Sequence, residues 1–137
     1  MVTLVEVDGS QSSRQALSYA VRSHAPDTEL LLLYVSSSGR QGELETGRYF
    51  LEDSRRTCER MTRDAQVRSR LEVGDPTETI PAVAEDEHVD LVVIGSHGID
   101  GFPHVEAIGQ IARRVGADGR RRVVVISPTG SELRAST

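Results

Sequence analysis

Lysine is absent from the chain; all 16 basic residues are arginine. That removes a lysine nucleophile, a Schiff-base lysine and the lysine of a Walker-type phosphate loop. Cysteine is nearly absent too. Cys58 alone forms no internal disulfide and no cysteine-ligated zinc site, so a reducing compartment, the cytoplasm, is the simplest setting. No apolar run approaches the ~20 residues that span a bilayer; the longest lies near residues 30–35. The opening Met1-Val-Thr-Leu-Val-Glu-Val-Asp8 has neither the basic segment nor the small-residue cleavage site of a signal peptide, and reads as a strand. There is no excess of positive charge either. A formal net charge of −5 is poorly suited to neutralising a phosphate backbone, so nucleic-acid binding is not expected.

What is present is the composition of a globule. At 137 residues, 37% hydrophobic and 27% charged, the chain fits one domain around one core. We place that domain at residues 1–128 and expect a frayed tail over 129–137. Four short apolar runs, at residues 2–7, 30–35, 91–94 and 123–126, are nearly continuous, as parallel strands covered on both faces are. Val67, Leu71 and Val73 alternate with charged residues, which predicts a half-exposed edge strand.

Helical patterns fill the intervals. Ser12-Ser-Arg-Gln15 reads as a capping box before Leu17, Ala20 and Val21. Asp75-Pro-Thr-Glu78 reads as another, with Pro81 placing the regular helix a few residues later. Leu44, Leu51, Cys58, Met61 and Ala65 make a stripe on a longer helix; Ile108, Ile111, Ala112 and Val115 make one that stops at Gly116. Strands alternating with helices predict a doubly wound α/β fold on a parallel sheet.

In such sheets ligands bind beyond the carboxyl ends of the strands, where the strand order reverses. Val7-Asp-Gly-Ser10 closes the first strand, and Ile94-Gly-Ser-His-Gly98 followed by Ile-Asp-Gly101 closes the fourth. Glycines there let backbone amides approach an anion. Taken alone, such a turn is as well explained by a tight strand-to-helix connection.

In order along the chain, five pieces carry a resemblance: the Val5-to-Ser10 entry with Asp-Gly-Ser, Leu31-Leu-Leu-Tyr-Val35, Gly74-Asp-Pro76, Asp90-Leu-Val-Val-Ile-Gly-Ser-His-Gly98, and Val123-Val-Val-Ile-Ser-Pro128. The sequence resembles the universal stress protein family over nearly its whole length. The resemblance implies a five-stranded sheet ordered 3-2-1-4-5 with helices on both faces, and a homodimer through the last strand, residues 123–126. It also implies a division between members that bind ATP and members that do not. For binders the implied pattern is glycine, two residues, glycine, nine residues, then Gly-Ser or Gly-Thr. Carried over by position, Asp8 matches the residue at the ribose and metal, and Val35 an adenine contact. Ile94, Gly95, Gly98, Gly109, Gln110 and Ile111 fall around the phosphate loop, with Mg²⁺ accompanying the nucleotide.

Three departures stand out. Residues 99–108 separate Gly98 from Gly109, one more than the pattern; Gln110 replaces the hydroxyl residue; and Glu6 stands where binders keep a small residue or proline. Glu6 and Asp8 share a face of the strand, and two carboxylates there repel a triphosphate unless a cation intervenes.

Other candidates have plain readings. His97 and His104 flank the glycine loop, yet no compact histidine pair supports a metal held by protein alone. Ser10, Ser12 and Ser13 read as caps, and Cys58 as a buried, inert thiol. Arg55, Arg56, Arg60, Arg63, Arg68 and Arg70, with Arg113, Arg114, Arg120, Arg121 and Arg122, read as solvated faces and gatekeepers, an RNA or acidic-partner surface being the lesser alternative. The leading expectation is a regulatory module with an adenine nucleotide in the crevice between strands 1 and 4, no catalytic residue, and at most slow ATP hydrolysis. A dimeric interaction module with a degraded, empty site is the second. An adenylate-forming enzyme of a related fold is third, because the serine-rich pyrophosphate loop after the first strand is missing.

Overall fold

The computed structural model describes residues 1–117 and 119–133. Its sheet contains β1 (Val2–Glu6), β2 (Glu29–Ser36), β3 (Gln66–Val73), β4 (Leu91–Gly95) and β5 (Arg122–Ile126), all parallel and ordered 3-2-1-4-5, with a short antiparallel β6 (Glu132–Leu133) added beyond β5. Helices α1 (Gln11–Ser23) and α2 (Gln41–Met61) cover one face; α3 (Pro76–Asp86) and α4 (Val105–Val115) cover the other.

The apolar run at β2 shows why the strands do not alternate. Leu30 and Leu32 pack beneath α1 and α2, Leu31 and Leu33 beneath α3 and α4, and all four are fully buried. β3 is the free edge opposite. Val67 and Leu71 turn to the α2 side, while Arg68 pairs with Glu29 and Glu87 and Arg70 with Glu72, Asp86 and Glu87. On α2, Arg55 and Arg56 pair with Glu52. These arginines are spent on local carboxylates at partly exposed positions, where each pair adds little stability but keeps a charged, unattractive edge.

Three local expectations are corrected. The N-cap of α1 is Ser10, whose hydroxyl accepts from the Ser13 amide; Ser12 lies inside the helix and is fully buried. α3 starts at Pro76 and runs through Pro81 instead of starting after it. Proline at that position strips the Thr77 carbonyl of its helical donor, and the Arg114 guanidinium of α4 supplies one at 3.2 Å. The stripe on α2 also narrows to Gly47, Leu51 and Cys58, with Met61 42% exposed.

The chain does not simply trail off after Pro128. The Ser127 amide donates to the Ser131 carbonyl, turning the backbone so that Glu132 and Leu133 pair with Ile126 and Val125. The outer half of the β5 edge is thereby covered. The rest of the expected tail, 134–137, lies outside the described residues.

Candidate functional site

At the carboxyl ends of β1 and β4 the chain leaves in opposite directions: β1 feeds α1 on one face, β4 feeds α4 on the other. This is the topological switch point of the sheet, the place where open α/β sheets form their ligand crevice.

The β1 side is organised by serines. Ser13 Oγ donates to the Glu6 carbonyl at 3.0 Å and accepts from the Asp8 amide at 3.2 Å, while Asp8 Oδ1 accepts from the Ser10 amide at 2.9 Å. Asp8 thus closes the turn with one oxygen. Gly9 follows with φ +84°, and the Phe50 ring lies 2.4 Å from where a β-carbon would stand, so both backbone and packing demand glycine.

The β4 side is locked to the β1 side by one buried hydroxyl. Ser12 Oγ donates to the His97 carbonyl at 2.9 Å and accepts from the His97 amide at 3.1 Å. A β-carbon on Gly95 would stand 2.3 Å from that oxygen and 2.8 Å from the Ser13 nitrogen. Gly95 is therefore glycine because the start of α1 rests on it. The sequence pattern hides this role of Ser12, for its partner is 85 residues away.

The loop that follows is closed on itself. The Gly98 amide donates to the Phe102 carbonyl, Gly101 to Gly98, Phe102 to Asp100 Oδ1 and His104 to the Ser96 carbonyl. Ser96 Oγ and His97 Nδ1 share a hydrogen bond of 2.7 Å. The loop glycines thus spend their amides within the loop. The amides of Val105, Glu106 and Ala107, the first turn of α4, are satisfied by no helical carbonyl and can receive an anion.

Gly109 and Gln110 come one turn later, inside α4, where their amides belong to the helix. Ile111 and Ile94 are 3% and 1% exposed and belong to the core under α3 and α4. Their side chains do not line the crevice. Val35, partly buried on the same face, does extend that core toward the crevice. Ile99, Phe102 and Val105 are 68%, 68% and 76% exposed around the loop and α4 start.

Glu6 is the most perturbed group here. It pairs in register with Leu33 of β2 and lies one step past the Val5–Val93 pair with β4, on the face that carries Leu4 and Ile94. Among the described residues nothing donates a hydrogen bond or ion pair to its carboxyl. Burial first, and repulsion from Asp8 second, push its pKa up to about 8. Elsewhere, burial pushes the Cys58 thiol up to about 11, the signature of an inert cysteine. Among the described residues no His, Cys, Asp and Glu cluster could hold a metal, and no helix is long and apolar enough to cross a membrane.

Comparison with known proteins agrees with this architecture. A model of the universal stress protein family matches residues 2–127. Among solved structures, the chain is similar to universal stress protein UspA from Lactobacillus plantarum, at 24% identity over 92% of this chain and 97% of that one, with TM-score 0.69. It is similar to a universal stress protein family protein from Arabidopsis thaliana with AMP bound, at 19% identity over 93% and 91%, TM-score 0.65. A universal stress protein in complex with cAMP is also similar, at 19% identity over 93% and 97%, TM-score 0.69. At these identities the likeness establishes the fold. A search of curated protein sequences finds no match.

Proposed function

Because the chain belongs to the universal stress protein family, we propose that it is a cytoplasmic regulatory module that binds an adenine mononucleotide in the crevice between β1 and β4. The observation that carries this reading is the switch-point crevice with a helix start facing it, in a fold shared with proteins solved with AMP and cAMP. The module holds and senses its ligand and does not turn it over.

Charge sets the orientation. Asp8 repels a phosphate, and the free amides of Val105, Glu106 and Ala107 attract one. The phosphate therefore sits at the start of α4 and the base lies toward Val35 and Glu6. This moves the phosphate seat from the loop glycines to the helix. Mg²⁺ joins when the ligand is a triphosphate, with Asp8 the nearby carboxylate.

Isothermal titration with AMP, and with ATP and Mg²⁺, tests the reading; absence of binding to the parent protein in both would overturn it. Saturating nucleotide at about 100 times Kd should stabilise the fold by about 2.7 kcal/mol. Gly98→Val should cancel that gain: its side chain must displace the His104 ring, 2.3 Å from the β-carbon position, into the loop mouth. Since that ring is half exposed, the unliganded melting point should stay within a few degrees. Gly109→Ala should instead raise the unliganded stability by about 1 kcal/mol, because alanine replaces glycine in a helix interior and only Arg113 NH1, at 3.4 Å, is near.

Two copies pairing along β5 make the homodimer of this reading. β6 competes for the same edge at Val125 and Ile126, leaving Arg122, Val123 and Val124 to start the contact. A chain ending at Pro128 should accordingly dimerise more tightly than the full chain by light scattering. Equal masses at every concentration would count against pairing through β5.

A further inference from the structure

Glu6 is the residue in the crevice whose chemistry the fold does not account for. The face of the sheet that carries it and the helices over that face form an apolar cluster, with Leu33 and Val35 from β2, Ile94 from β4, Ile80 and Val83 from α3, and Ile108 from α4. The charged group acting on it is Asp8, which is committed by one oxygen to the Ser10 amide. A carboxyl group in such a place is retained as a neutral acid or met by a ligand.

Resting on the nucleotide reading above, we propose that Glu6 reads the base: its protonated carboxyl accepts a hydrogen bond from the exocyclic amine of adenine and donates one to the adjacent ring nitrogen. The two groups are complementary because adenine's pairing edge offers one donor beside one acceptor. Guanine can also meet the acid, through O6 and N1–H, but unlike adenine it offers two adjacent donors, N1–H and the 2-amine, to the carboxylate. Base selection therefore depends on the proton of Glu6, and adenine binding weakens once that proton is lost. The elevated pKa of Glu6, about 8, puts the change just above neutrality, where the nucleotide phosphate (second pKa about 6) has already titrated.

The test is isothermal titration of AMP and GMP into parent, Glu6→Gln and Glu6→Ala chains at about pH 7 and about pH 9. For the parent, AMP should lose about tenfold in affinity at the higher pH, as the protonated fraction falls, while GMP, whose two donors suit the carboxylate, should not. Glu6→Gln keeps one donor and one acceptor, so it should bind AMP without that pH dependence. Glu6→Ala should lose the pH-dependent difference between AMP and GMP while keeping phosphate-driven binding. AMP affinity in the parent that is the same at both values, a GMP affinity that falls with pH as steeply as that for AMP, or tighter AMP binding by Glu6→Ala would each overturn the proposal. The last would show the carboxyl filling the base seat. Failure of the parent to bind either nucleotide at either pH, with and without Mg²⁺, would instead bring down the nucleotide reading itself.

Discussion

Gly95→Val should lose at least about 3 kcal/mol of stability, a drop of roughly 10 °C in melting temperature for a domain of this size. The new side chain has nowhere to go. Its first carbon would stand 2.3 Å from Ser12 Oγ and 2.8 Å from both the Ser12 carbonyl carbon and the Ser13 nitrogen. Two of those three atoms are backbone, and a backbone at the start of a buried helix does not step aside. To make room, α1 must lift from β4, which breaks the paired hydrogen bonds of Ser12 with His97 and exposes Ala16 and Leu17, both buried in the core beneath the helix. Overpacking of a tight interior typically costs about 1–3 kcal/mol; a backbone clash with loss of a buried hydroxyl's partners belongs at or beyond the top of that range. A urea melt within about 0.5 kcal/mol of the parent would refute this account of Gly95. The expected outcome also warns against a simple inference. A Gly95 variant that fails to bind nucleotide would reveal a displaced α1, whereas Gly98→Val tests the ligand without moving a helix.

The contrast between these glycines shows what a sequence can and cannot convey. Residues 30–33 announce a strand buried on both faces because every one of them is leucine, and Gly116 marks the end of α4 because a stripe of apolar residues stops there. Such signals are local and additive. Pro81 misleads for the opposite reason. Whether a helix tolerates it depends on who satisfies the Thr77 carbonyl, and the donor, Arg114, lies 37 residues further on. Ser12 looks like a cap since Ser-x-x-Gln is a capping pattern, while its real partner is the backbone of His97 on the far side of the crevice. β6 leaves no pattern at all; two residues are too few to alternate. At the crevice, the glycines and the carboxylates of Glu6 and Asp8 are visible in order and spacing. Where the amides of the loop spend their hydrogen bonds is not, because Gly98 to Phe102 and His104 to Ser96 form only once the loop has folded.

In unliganded protein, Glu6→Gln should be stabilising, and by an amount that grows with pH. The ordinary carboxyl value of 4.5 is raised to about 8 in the folded chain, so between those limits the folded state holds a proton that the unfolded state has released. Stability falls with rising pH wherever the folded state binds more protons. The loss begins near 4.5, accumulates through about 8 and is constant above it. A tenfold change in acidity corresponds to about 1.4 kcal/mol; discounted for the partial solvent access of Glu6, the penalty above the folded value is on the order of 2–3 kcal/mol. Glutamine matches the shape and hydrogen-bonding of the neutral acid and carries no ionisation to suppress. The substitution should therefore leave the melting temperature nearly unchanged at about pH 5 and raise it by about 8 °C at about pH 8.5. Thermal melts of both chains across that range decide the matter. A gain independent of pH would mean that the packing of the amide, and not the proton, matters at this position. No gain at either end would mean that the carboxyl is solvated in the crevice and the raised pKa is not realised. Either result would remove the apolar setting of Glu6 beside Leu33 and Val35, and with it the physical reason for expecting a neutral acid at the base end of the site.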